Sequence, residues 1–198
     1  MTMHTRLDVL CALVLMVLAG CAGSSTRFYV LTPLPAREMP QAAAAGPPIA
    51  IGLYPVTLPG MLDRPEIVTR IGDNGIRLAE FDQWGAPLRE EVTRVLARDL
   101  ALLLPTARIA VFPWTVSGPI DLVITVEVVQ LDAVLGGECS MSARWTLFGN
   151  GGKDPKATGT ATHSEATGDT YATLVAAESR LVATLAKYIV MGITEMPR

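Results

Sequence analysis

The chain has 198 residues, half of them hydrophobic, and its 16 basic and 19 acidic side chains give a formal net charge of −3. That length is enough for one domain with a substantial core, and an acidic chain without a basic cluster gives no footing for nucleic acid. Three cysteines and two histidines are too few for a disulfide-built scaffold and leave little from which to assemble a zinc site.

The amino terminus carries one firm positive charge, Arg6. An uncharged apolar run from Val9 to Val17 follows, then Leu18-Ala19-Gly20-Cys21, and the chain turns polar at Gly23-Ser24-Ser25. A charged head, a short apolar stretch and small residues at a cleavage point make a secretory signal. About 10 apolar residues of helix reach only about 15 Å, half the hydrocarbon thickness of a bilayer, which argues against a membrane span. The small pair Ala19-Gly20 before a cysteine resembles the bacterial lipobox. That resemblance implies cleavage before Cys21 and transfer of a diacylglyceryl group to its thiol. Each buried CH₂ contributes about 0.8 kcal/mol, so two or three acyl chains hold a soluble domain at a membrane durably. Ala22 follows the cysteine where an Asp would signal inner-membrane retention, which implies the periplasmic face of the outer membrane. The expected organisation is a signal peptide over 1–20, a lipidated tether over 21–26 and a single periplasmic domain over 27–198. With Cys11 removed and Cys21 acylated, Cys139 has no disulfide partner.

Arg27 to Leu31 reads as a first strand, stopped by Thr32-Pro33-Leu34-Pro35, and Gln41 to Pro48 as a loose connection. Ile49, Ile51 and Leu53 alternate with Ala50, Gly52 and Tyr54, the period of a strand. A connection of definite sequence, Pro55 to Pro65, leads to a strand over 66–71. Gly72-Asp73-Asn74-Gly75 has hairpin-turn chemistry, returning through Ile76 to Glu80. Leu88, Val92, Val95, Leu96, Leu100 and Leu103 then recur at spacings of three and four. They predict a helix from about Gln83 to Leu104, with Asp82 as N-cap and Pro105 beyond its end. Strands follow over 108–112, 121–131, about 141–147 and 156–164. Gly168-Asp169-Thr170 opens a second helix whose stripe runs from Tyr171 to Ile189, with Gly192 as its C′ residue. This order predicts an α/β domain, a mixed and largely antiparallel sheet covered by two amphipathic helices.

Residues for chemistry are sparse. His163 is the one histidine of the mature chain, and with Cys139 it supplies at most two metal ligands. No serine sits in a nucleophile elbow. Gly149-Asn150-Gly151-Gly152-Lys153 lacks the hydroxyl residue and the helix of a phosphate loop, so it reads as a turn. The expectation is a non-enzymatic protein without metal or cofactor. The segment Leu58-Pro59-Gly60-Met61-Leu62-Asp63-Arg64-Pro65 reads either as a preordered recognition loop presenting Met61 and Leu62 beside an Asp-Arg pair, or as a loop folded over its own core. Trp84, placed just inside the first helix, reads as core or interface, and Trp114, after Pro113, as exposed.

Several blocks together resemble the ABC-type transport auxiliary lipoproteins, a family that includes the lipoprotein of the paraquat-inducible system working with MCE (mammalian cell entry) proteins. They are Phe28-Tyr29-Val30-Leu31, Leu58-Pro59-Gly60 with Leu62-Asp63-Arg64-Pro65, and Ile67-Val68-Thr69-Arg70. Ala79-Glu80-Phe81-Asp82 with Trp84 before Pro87-Leu88, and Pro113-Trp114, complete the set. Met61 departs from the tyrosine expected in that loop. The resemblance implies an outer-membrane lipoprotein docking a trans-envelope lipid-transport complex, with an MCE protein as partner and a permease and an ATPase beyond it. It also implies a fold like the TolB amino-terminal domain, and self-association. The candidate partner-binding residues, read from the loop and the tryptophans, are Pro59, Met61, Leu62, Asp63, Arg64, Trp84 and Trp114, and the lipobox places lipidation at Cys21. A lipoprotein regulator of a cell-wall enzyme and a lipid carrier with its own cavity are the alternatives.

Overall fold

The computed structural model describes residues 25–35, 49–114 and 118–196; the expected signal peptide, Cys21 and the 41–48 connection lie outside them. In chain order the elements are β1 (Arg27–Tyr29), β2 (Ile49–Leu53), a 3-10 turn (Gly60–Leu62), β3 (Glu66–Ile71) and β4 (Gly75–Trp84). Then come α1 (Leu88–Leu103), β5 (Ala107–Val111), β6 (Leu122–Ala133), β7 (Glu138–Gly149), a second 3-10 turn (Asn150–Gly152), β8 (Asp154–Ala166) and α2 (Tyr171–Thr194).

The class is the expected mixed α/β arrangement with two helices and mostly antiparallel pairing, and the strands divide between two sheets. A five-stranded sheet has the order β5-β2-β6-β7-β8 and a three-stranded sheet the order β1-β4-β3. β2 runs parallel to both β5 and β6, and β6, β7 and β8 form an antiparallel meander. In the small sheet β1 is parallel to β4 and β3 antiparallel to it. Along β7 the alternation is clean. Cys139, Met141, Ala143, Trp145 and Leu147 are buried while the residues between them face outward, as a sheet with one covered face requires. The covering layer is the helix pair, whose stripes Val92, Val95, Leu96 and Leu100 on α1 and Leu174, Leu181, Leu185 and Ile189 on α2 join one core with both sheets.

Four sequence expectations need correction. β1 ends at Tyr29, not Leu31. α1 begins at Leu88, so Asp82 is no N-cap and Trp84 is not helical; both belong to β4. The cause is long-range pairing. Arg27 grips Asp82 through two nitrogens, each 2.8 Å from a carboxylate oxygen, and Tyr29 Oη donates to Oδ1 at 2.7 Å. Burial, and then that bond to Asp82, hold the Tyr29 phenol protonated above its ordinary range. Trp84 pairs in register with Tyr29, and its backbone N–H donates to the Pro65 carbonyl at 2.7 Å. Pro87 occupies the N-cap of α1 without a side-chain cap, and Glu90 and Glu91 in the first turn complement the helix dipole. Finally, Gly192 lies inside α2, which continues to Thr194. A Cβ added there, or at Gly159, would collide with the Trp145 indole, so the glycine is a clearance for that ring and not a stop.

Past β1 the chain crosses both helices as a strap. The N–H groups of Leu31, Thr32 and Leu34 donate to Glu91 at 3.0 Å, to Ser179 Oγ at 3.1 Å and to Asp99 at 2.7 Å. Arg94 donates to the Leu31 carbonyl at 3.0 Å. Pro33 has no N–H to place, so every backbone donor from 31 to 34 is met by a helical side chain.

A candidate docking surface

Because β2, β5 and β6 are parallel, the chain leaves β2 and β5 on the same side, where clefts form in mixed sheets. Leu53 pairs with Val111, which brings the residues that follow each strand together. Tyr54, Phe112 and Trp114 pack mutually there, with ring centroids 4.9, 5.2 and 5.1 Å apart in stacked and edge-on geometry. Tyr54 and Phe112 remain 39% and 43% exposed. Trp114, expected to be exposed, is half-buried, because its ring lies over Gly52; a Cβ at that glycine would come within 2.7 Å of it.

The loop after β2 is pinned at its base. Tyr54 and Thr57 donate to the carbonyls of Ile124 and Val126, both at 3.0 Å, and Val128 returns a bond to Thr57 at 2.8 Å. Val56 N–H donates to Thr93 Oγ1 of α1 at 3.0 Å. Pro59, half-buried, starts the 3-10 turn, in which Leu62 donates to its carbonyl at 2.9 Å. The two readings of this loop divide it residue by residue. Met61 is 42% exposed, whereas Leu62, expected at the tip, is 6% exposed and joins the core. Asp63 and Arg64 do not pair with each other. Asp63 faces Arg89 of α1 at 3.7 Å, and Arg64 bonds Glu66 at 3.1 Å. The Glu66 carboxyl is held below its ordinary range, first by its own backbone amide and then by Arg64.

Three hollows adjoin these groups. A groove of about 530 Å³ is lined by residues that include Pro55, Arg89, Glu90, Arg94, Val111 and Phe112. A pocket of about 150 Å³ under the loop shares Pro55 and Arg89 with it. A cleft of about 320 Å³ lies between Asp63, Arg64 and Pro65 on one side and Trp84, Ala86 and Pro87 on the other. Trp84 is 5% exposed, so it forms the floor of this cleft and belongs to the core. Of the expected residues, Asp63 and Arg64 line these hollows, Pro59 and Met61 belong to the turn beside them, Trp114 joins the aromatic cluster and Trp84 lies beneath in the core. Tyr54, Arg89, Arg94 and Phe112, which the sequence did not single out, adjoin them. Arg94 is held by Glu91 at 2.8 Å, which keeps the guanidinium more firmly protonated than usual. The rim is apolar and pre-ordered, and its arginines are each ion-paired with a carboxylate of this chain.

The remaining titratable groups of note lie elsewhere. His163, half exposed on β8, has Nε2 3.4 Å from Glu165, which Arg180 holds at 2.7 Å. Cys139 is a buried free thiol, pushed well above its ordinary range by burial. Among the described residues no three His, Cys, Asp or Glu side chains are grouped to hold a metal ion, and no helix is long and apolar enough to cross a membrane.

The model of a family described as ABC-type transport auxiliary lipoprotein component matches residues 29–190. No curated protein matches the chain in sequence. Among solved structures, an uncharacterised protein superposes with a TM-score of 0.70 at 17% identity, covering 86% of this chain and 99% of its own. A protein from Xanthomonas campestris superposes with a TM-score of 0.63 at 15% identity, covering 85% of this chain and 94% of its own. These likenesses show the fold.

Proposed function

Since the chain belongs to the family of ABC-type transport auxiliary lipoprotein components, we propose that it is the non-enzymatic docking subunit of an MCE-type trans-envelope lipid-transport system. In this reading residues 1–20 are a signal peptide, Cys21 carries the acyl chains, and the domain faces the periplasm from the outer membrane. The observation that carries the docking role is the rim at the carboxyl ends of β2 and β5. There Tyr54 and Phe112 stay exposed on backbone bonded to β6 and β2, and Met61 stays exposed on a 3-10 turn whose leading segment, Val56 and Thr57, is bonded to α1 and β6. Rigid apolar anchors on a scaffold lose little ordering entropy when a partner seats on them. Arg89 and Arg94 beside the groove already face Asp63 and Glu91, and Glu90 lines the same groove, so the apolar anchors and not a net charge define this surface.

The test is photocrosslinking in native membranes from positions 61 and 112. An MCE-domain protein is the expected product. Recovery of a peptidoglycan synthase instead would replace this reading with that of a cell-wall regulator, and recovery of neither would end it. Self-association belongs to the same proposal, and a monomer by light scattering at micromolar concentration would remove that part.

A further inference from the structure

The three-stranded sheet is rich in exposed apolar side chains. Of the fourteen large hydrophobic residues exposed among the described residues, six (Phe28, Val30, Ile71, Ile76, Leu78 and Phe81) lie on β1, β3 and β4 or directly after β1. Phe28, at 67%, is the most exposed of all, and Val30 is 56% exposed. Strand alternation explains why. Arg27 and Tyr29 turn to the face that holds Asp82, so Phe28 turns to the opposite face, together with its register partner Gln83 and with Phe81. β1 is also an edge strand, paired on one side only. Ile71 pairs with Gly75 and so lies on the other face from Ile76 and Leu78. That leaves Phe28, Phe81 and the adjoining Val30 as the apolar patch at the β1 edge, and a domain seldom leaves such a patch to water without an occupant.

We infer that this occupant is the lipid surface, and that the outward face of β1 and β4 rests in the headgroup region of the membrane carrying the Cys21 acyl chains. This rests on the anchoring proposed above. Six residue steps separate Cys21 from Arg27, and even fully extended they span no more than about 22 Å. A domain of this size is about 40 Å across. The tether therefore keeps β1 in the membrane-proximal half of the domain, and the apolar face nearest the anchor is the one bearing Phe28 and Val30. Amphipathic surfaces of this kind add apolar burial to an acyl anchor and fix the orientation of what it carries.

The test uses the full-length lipoprotein, purified from membranes and placed in vesicles of phosphatidylethanolamine and phosphatidylglycerol. A nitroxide is attached at Phe28→Cys, with Val30→Cys as the second position should the first variant fail to fold; Cys139 is buried and stays unlabelled. The expected result is a label several-fold more accessible to oxygen than to an aqueous nickel chelate. An acylated protein whose label meets the chelate freely overturns the inference and leaves the anchor standing. A label shielded from both reagents overturns it too, in favour of a second copy or a protein partner on that face. Absence of acyl mass on Cys21 defeats the anchoring itself, and the inference falls with it.

Discussion

Glu178 offers the sharpest test of how this core is built. It sits on α2 at 5% exposure, with Oε2 lacking a hydrogen-bond partner, and burial pushes its pKa to about 8 from an ordinary 4.5. Native protein thus keeps this proton over a range where the unfolded chain has released it. Below pH 4.5 the group is neutral in both states and costs nothing in charge burial. As pH rises from 4.5 towards 8 the unfolded chain is favoured by about 1.4 kcal/mol per pH unit, and above 8 the loss levels off. Between pH 5.5 and 7.5 that is about 3 kcal/mol, large against a total stability of about 5–15 kcal/mol. Glu178→Gln keeps the size and removes the titration. Urea unfolding followed by circular dichroism at pH 5.5 and 7.5 should show wild type losing about 3 kcal/mol more than the variant over that interval. An equal loss in both proteins would refute the account of a neutral buried carboxyl.

Further outcomes follow from the packing. Gly192→Ala gains about 1 kcal/mol of helix propensity, yet its methyl group collides with Trp145, so calorimetry should find a net loss of about 1–3 kcal/mol and a lower Tm. Leu62→Ala should cost about 2 kcal/mol or more in denaturant titration, whereas Met61→Ala should stay within about 0.5 kcal/mol while weakening partner capture. The Cys139 thiol should react with Ellman's reagent only as fast as the protein opens, and at once in urea, because burial raises its pKa and screens it from attack.

Where local period and burial agree, the sequence was readable. The stripes of both helices and the alternation of β7 follow from side-chain spacing alone, and each is buried as that spacing demands. Where a partner distant in the chain decides, it was not. Asp82 has the chemistry of an N-cap, but Arg27 and Tyr29, more than fifty residues earlier, hold it in a strand. Gly192 has the chemistry of a helix end, and only the position of Trp145 on another element gives it a different task. The candidate site divides in the same way. Its loop announced itself through Pro59, Gly60 and Pro65. The aromatic cluster of Tyr54, Phe112 and Trp114 depends on the parallel register of β2 with β5, which no local signal carries.

The join between β1, the strap and the helices also bears on mechanics. A pull reaching β1 from the chain before Arg27 meets its three register pairs with β4 first. Beyond them, Glu91, Ser179 and Asp99 spread what remains of the force over both helices.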